Sequence, residues 1–255
     1  MQLSEFSNHT RWPLLPQKWD EFPPKRANLA SRLALFRFPK QNGVMHVDHI
    51  TFAAGPSGLK AEADRLGKSL GAKFRDGGFH PRFGTRNYIL ELTDDRYIEV
   101  VEVLEHPVAE KAPYGQAVRA RSQLGGGWMG WAISVADLSP FEQRLQREAV
   151  PGSRKFPDGR LLEWHQLGIK GLINDPQLPY FLKWDSEPEV LPSALHGTIK
   201  LVSIEIAGER KRVEEWLGAC VGDNFDGVEI LFTGEYGQPG IQAVTFEAKG
   251  GKVRI

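Results

Sequence analysis

The chain of 255 residues has one cysteine, Cys220. One cysteine forms no internal disulfide and supplies no Cys-rich zinc site. A reducing compartment is the simplest setting for such a chain, and the sequence reads as cytoplasmic. Cys220 itself reads as a small core residue near the end of a helix. Long apolar runs are also missing, and none approaches the ~18 residues that a membrane span needs. The N-terminus lacks the charged-then-apolar layout of a secretory signal. Net charge is zero, because 32 Lys and Arg offset 32 Asp and Glu. No electrostatic footprint for nucleic acid or an anionic membrane is left, so neither is expected as a partner. GxxxxGK[ST], GxGxxG after a strand, HExxH and GxSxG are all absent, which removes the common nucleotide, zinc-protease and serine-hydrolase readings. Gly125-Gly126-Gly127 precedes a strand rather than a helix, so it reads as a linker and not a phosphate cradle.

What is present is the composition of a soluble globular chain, 41% hydrophobic and 25% charged, too apolar and too balanced for disorder. Residues 1–44 stand apart as a leader or arm. They carry Pro13, Pro16, Pro23, Pro24 and Pro39 and a basic excess, and only Ala27 to Phe38 has helical spacing. Met45, directly before a strong strand, is a candidate native start. From there the pattern is β, α, then several β. His46 to Ala53 is rich in β-branched and aromatic residues and reads as a strand. Ser57 is placed to cap a helix with the stripe Leu59, Ala63, Leu66 and Leu70. A Gly-rich loop, Asp76 to Gly84, precedes strands Arg86 to Leu92 and Tyr97 to Val103.

The unit then returns. Gly130 to Val135 is a strand, Ser139-Pro140-Phe141-Glu142 a capping box, and Arg160 to Leu167 and Pro179 to Trp184 are strands. HITFAAGPSGL at residue 49 lines up with WAISVADLSPF at residue 131. A third, degenerate β-α-β-β copy spans 198–255. The predicted fold is α+β, with paired β-α-β-β-β modules over 45–105 and 128–185 and curved mixed sheets.

Repeated units of this kind resemble the vicinal-oxygen-chelate superfamily, which includes glyoxalase I and the extradiol dioxygenases. The stretches VDHITFA, GGFHPRFGTRN, DRYIEVVEV, RKFPDGRLLEW and LPYFLKWD resemble the bacterial glyoxalase-like domain family, over about residues 46–185. The resemblance implies a pocket enclosed by the two modules. In metal-using members, each module gives one ligand from its first strand and one from its last. Here those positions are His49 and Glu99, which suit Zn, Fe, Mn, Ni or Co. Alternation puts Val47, His49 and Thr51 on one face, and Tyr97, Glu99 and Val101 on one face of the partner strand.

The second module departs from that pattern. Trp131 matches His49, and Phe181 or Leu182 matches Glu99. His80 and His165 are the substitutes at hand, His165 being the better second-module candidate. Without metal, His49 and Glu99 still form an acid–base pair, because a carboxylate fixes an imidazole tautomer. Arg82, Arg86 and Arg154 are candidate ion-pair mates of Glu99. In the Gly-rich loop, His80, Thr85 and Asn87 bring donors and acceptors to the pocket mouth. Trp128, Trp131, Trp164 and Trp184 fall in the second half, where Trp131 would make one wall apolar and flat. Two functions fit these residues. One is a divalent-metal lyase, isomerase or dioxygenase acting on a small molecule. The other is a metal-free protein that binds or sequesters one. A monomer and a homodimer both fit.

Overall fold

The structure, a computed structural model, describes residues 44–156, 158–234 and 239–255. Apart from Val44, the leader and its short helix lie outside the described residues. The first half runs β1 (His46–Ala53), α1 (Leu59–Leu70), β2 (Arg75–His80), β3 (Thr85–Glu91) and β4 (Tyr97–Val103). Two helices come next, α2 (Pro107–Lys111) and α3 (Pro113–Gln123). The second half repeats the order as β5 (Gly127–Ser134), α4 (Ser139–Leu145), β6 (Val150–Lys155), β7 (Leu161–Leu167), a short α5 (Gly171–Asn174) and β8 (Tyr180–Trp184). The C-terminal part is β9 (Lys200–Ala207), α6 (Arg210–Leu217), β10 (Asn224–Phe225), β11 (Val228–Phe232), β12 (Gly240–Ala248) and β13 (Gly251–Arg254). Among the described residues no helix is long and apolar enough to cross a membrane.

Helix α1 buries the stripe expected of it, Leu59, Ala63, Leu66 and Leu70, and stops at Gly71 in the left-handed conformation. Its cap is not Ser57, whose hydroxyl turns to Glu62. The first helical N–H is met instead by Glu102 of β4, 3.1 Å from the Leu59 nitrogen. The expected capping box at Ser139 does not form either. Asp137 accepts from the Ser139 nitrogen and hydroxyl, and Glu142 turns to the Ala149 nitrogen. In both cases a carboxylate from outside the motif outcompetes the local hydroxyl.

The loop expected over 76–84 is a strand as far as His80. Gly77 and Gly78 serve close approach there rather than a turn: a Cβ at Gly78 (φ 99°) would sit 2.1 Å from the Lys155 carbonyl oxygen. Strand β6 escapes sequence reading because Pro151 and Gly152 open it, two residues that strands disfavour.

The two halves close one eight-stranded barrel in the order β1-β4-β3-β2-β6-β7-β8-β5. Its two seams are unequal. β1 and β5 pair antiparallel through seven residue pairs. β2 and β6 meet through one, Phe79 opposite Lys155. β1 also carries a bulge, since Val47 pairs with Ile133 and His49 with the adjacent Ala132, so Asp48 is one residue extra. The bulge breaks the expected alternation. Val47 joins the outer core while His49 lines the barrel interior.

The C-terminal sheet has the order β10-β11-β9-β12-β13, with β9 central between parallel β11 and antiparallel β12. It keeps the β-α-β-β chain order of the expected third copy. It pairs differently from the first barrel half: β9 is antiparallel to β12, whereas β1 is parallel to β4. Residues of this sheet and of the outer face of the β1/β5 seam share one core. Trp128 packs on Phe246 and donates its indole N–H to the Ile255 carbonyl at 2.9 Å. Trp216 of α6 stacks on Phe181 and donates to the Pro179 carbonyl at 2.7 Å. Arg96 joins the Val47 carbonyl to Asp226. Cys220, expected in the core, is exposed three residues beyond α6.

Candidate functional site

The barrel interior is lined by residues from both halves and from α3. Two groups of polar side chains face it. The first starts at the bulge. Asp48 and His49 are both buried, and Asp48 accepts from His49 Nδ1 at 2.7 Å and from the Trp184 indole at 2.9 Å. On its far side, His49 Nε2 meets the Tyr180 hydroxyl at 2.6 Å. The imidazole stacks on Tyr97, with ring centres 4.5 Å apart, and meets Tyr180 edge-on. His49 is therefore fixed by a carboxylate, a phenol and a ring face, three constraints on a side chain with two torsions.

The second group surrounds Glu99. Its carboxylate accepts from Tyr114 at 2.7 Å, from Asn87 Nδ2 at 2.8 Å and from Thr51 at 3.2 Å. His80 Nε2 lies 3.8 Å away, while His80 Nδ1 is engaged by Thr85 at 2.9 Å. Burial on its own would raise the Glu99 carboxyl, but facing His80 and His49, with donors Tyr114 and Asn87, brings it below the usual value. Glu99 stays ionised. Burial lowers His80 to about 4, against the opposing pull of Glu99, so its imidazole is neutral at neutral pH. Burial also pushes the Tyr97, Tyr114 and Tyr180 phenols up, with nearby carboxylates adding to the effect. All three remain O–H donors.

One cation faces the same space. Arg154 of β6 is 2% exposed, and its guanidinium stands over the Phe156 ring, 4.6 Å from the centroid. Its Nε and Nη2 have no hydrogen-bond partner among the described residues. Burial lowers it to about 10, which still leaves it charged at neutral pH.

His49, Glu99, His80 and Asn87 of the expected set line the cavity together. Thr85 supports His80 from behind. Trp131 and His165 do not reach the cavity. Trp131 is fully buried on the outward side of β5, in the core shared with the C-terminal sheet, and donates to the Gln177 carbonyl at 3.2 Å. The strand register gives the reason. His49 lies beside Tyr97 and Ala132 beside Tyr180, so the equivalent of His49 is Ala132, and a slip of one residue reverses the face. His165 is outward by the same rule. Trp164 and Gln166 point in, and His165 points to solvent, where it pairs with Asp185 at 2.7 Å. Of the other tryptophans, Trp164 and Trp184 line the cavity and Trp128 does not. Of the candidate mates of Glu99, Arg154 shares the cavity, whereas Arg86 turns to Asp76 and Glu102.

Sequence reading misses Asp48, Tyr97, Tyr114 and Tyr180, and it finds Arg154 only as a mate of Glu99. Asp48 is hidden by the bulge and Tyr114 by an unexpected helix. Tyr97 and Tyr180 carry a usable signal, since each opens the last strand of its half.

The residues present do not make a metal-ligand set. Both ring nitrogens of His49 are engaged, three donors occupy Glu99, and the second-half counterparts are Ala132 and Leu182, with an arginine facing the same space. Among the described residues no three His, Cys, Asp or Glu side chains gather in a way that could hold a metal ion.

The fold is one of two paired modules that close a single barrel around the site. The sequence matches the glyoxalase-like domain family over residues 47–221, more than half of the chain, and the chain belongs to that family. A hypothetical protein from Staphylococcus aureus has a similar structure, with a TM-score of 0.52 and 16% identity over 83% of this chain and 86% of that one. A variant of the Streptomyces coelicolor methylmalonyl-CoA epimerase, in complex with 2-nitronate-propionyl-CoA, is 16% identical over 55% of this chain and 96% of that one, with a TM-score of 0.36. A hypothetical protein from Bacillus halodurans C-125 is 16% identical over 58% and 98%, with a TM-score of 0.38. No curated protein matches the chain.

Proposed function

We propose that the protein is an acid–base catalyst of the isomerase or lyase kind, moving a proton on a small carbonyl compound inside the barrel without a metal. One observation carries the reading: an ionised carboxylate, Glu99, and a buried Asp48–His49–Tyr180 chain face the same cavity. Glu99 is the proton acceptor. The chain holds its proton in two ways. With His49 neutral, the Tyr180 O–H is turned to Nε2. With His49 protonated beside Asp48, Nε2–H donates to the phenol oxygen and frees the Tyr180 O–H for the cavity. The second state is the donor. A C–H next to the carbonyl breaks, its proton goes to Glu99, and the enolate oxygen takes the Tyr180 proton, which His49 replaces. Positioned groups of this kind contribute about 10²–10⁴-fold each.

The test is loss of C–H signal from 2-oxo acids and hydroxyketones in D₂O, monitored by NMR. Exchange is expected in wild type and lost in Glu99→Gln. Equal exchange in the two sinks the reading. A binding or sequestering role is the second reading, favoured by the apolar walls Phe83, Leu162, Trp164 and Trp184. Ligand binding with no exchange on any bound compound selects it.

A further inference from the structure

We infer that the ligand of the barrel cavity carries a carboxylate, and that Arg154 is the residue that receives it. The inference names the substrate class of the proposed acid–base centre, and it rests on that function only for the chemistry after binding.

Among the described residues that line the cavity, Arg154 is the sole lysine or arginine. Its side chain is almost wholly buried and makes no ion pair among the described residues. The neighbouring carboxylate, Glu99, is already committed to Tyr114, Asn87 and Thr51. The two orphaned nitrogens are Nε and Nη2. In a guanidinium these lie along one edge, and their N–H bonds run parallel. That edge matches the two oxygens of a planar carboxylate. A buried cation with an unpaired fork is unfavourable in the empty protein, so the arrangement makes sense as half of a pair whose other half arrives with the ligand.

The surroundings narrow the class further. Phe156 lies under the guanidinium, 4.6 Å from its centre. Phe83, Leu162 and Trp164 line the remaining wall. The ligand is thus a short carboxylic acid with a small apolar or aromatic body, and a carbonyl next to the carboxylate places that carbonyl near the proton-transfer groups.

The experiment is calorimetric titration of acetate, pyruvate and benzoate, each beside its neutral amide, and of inorganic phosphate. Wild type and Arg154→Gln are compared, with tryptophan fluorescence as the second readout. At least one carboxylate is expected to bind, with its amide about tenfold weaker or more, and Arg154→Gln is expected to erase that preference. Thermal unfolding of the ligand-free variant supplies the folding control. Its midpoint is expected to change little, while loss of cooperative unfolding marks Arg154 as structural and overturns the inference. Equal affinity for acid and amide, no binding by any of the three acids, tighter binding of phosphate, or a preference that survives in Arg154→Gln also overturns it. Carboxylate binding that depends on Arg154 but brings no hydrogen exchange defeats the acid–base reading alone.

Discussion

The Tyr180 hydroxyl meets His49 Nε2 at 2.6 Å, and the two residues lie 131 positions apart in the chain. His49 comes from the first strand of one half of the barrel and Tyr180 from the last strand of the other. Neither half holds the site alone. Asp48, His80, Asn87 and Glu99 belong to the first, Arg154, Trp164 and Trp184 to the second, and Tyr114 to the helix that joins them.

Tyr180→Phe keeps the ring and removes only the hydroxyl. It is expected to lose about 1 kcal/mol of stability, the ordinary net value of a buried hydrogen bond. Proton transfer is expected to fall by about 10²-fold or more. Hydrogen-exchange rates beside a thermal melt separate the two effects. A rate change no larger than the stability change argues that the hydroxyl only packs.

Glu99→Gln tests the base. The amide still accepts from Tyr114 but meets Asn87 with a donor against a donor, so moderate destabilisation accompanies loss of exchange. Dialysis against EDTA is expected to leave wild-type exchange unchanged, because the donor set around Glu99 is filled by protein hydrogens. Elemental analysis of the dialysed and undialysed protein checks this, and near-stoichiometric metal that disappears in both His49→Ala and Glu99→Ala would reverse it.

The buried His80 predicts the acid limb of stability. Its folded value, about 4, lies below the ordinary 6.5, so the unfolded chain binds the extra proton between those two values. Stability is therefore full above about pH 6.5 and falls as the pH drops toward 4, by roughly 3 kcal/mol from this group. Glu99, also lowered, adds a loss of the same sign below its ordinary value. Urea melts at stepped pH should show the fall, and His80→Gln should flatten it between pH 6.5 and 4.

Gly152→Ala is expected to damage the pocket from outside. A Cβ there would stand 2.3 Å from the Trp164 indole. Trp164 must then tilt, losing its bond to Gln166. Overpacking of this kind costs about 1–3 kcal/mol. Trp164 emission should shift, and ligand affinity should fall with it.

The repeat and the stripe of α1 are legible in the sequence, because periodicity records which face is buried, whereas β2 and β6 are not. His49 and Glu99 are legible through the family resemblance, and His80 and Asn87 as polar residues of the Gly-rich stretch. Trp131 and His165 are misplaced through one kind of error. Side chains alternate with period two, so any slip or bulge reverses the face. The bulge at Asp48 is invisible in HVDHITFA, since nothing in those residues says that one is extra. Tyr114 and the inward aim of Arg154 are hidden because Pro107, Pro113 and Pro151 read as interruptions, whereas two of them start helices and the third stands in a strand.

The unequal seams give the barrel a direction in which to give way. Seven residue pairs and a whole sheet back one join, and a single rung holds the other. Next to that rung stand His80 on one strand and Arg154 on the other. The barrel is in effect a cuff with one clasp, and two of the residues that face its contents sit on the clasp itself. A shift at that one rung would move His80 and Arg154 together.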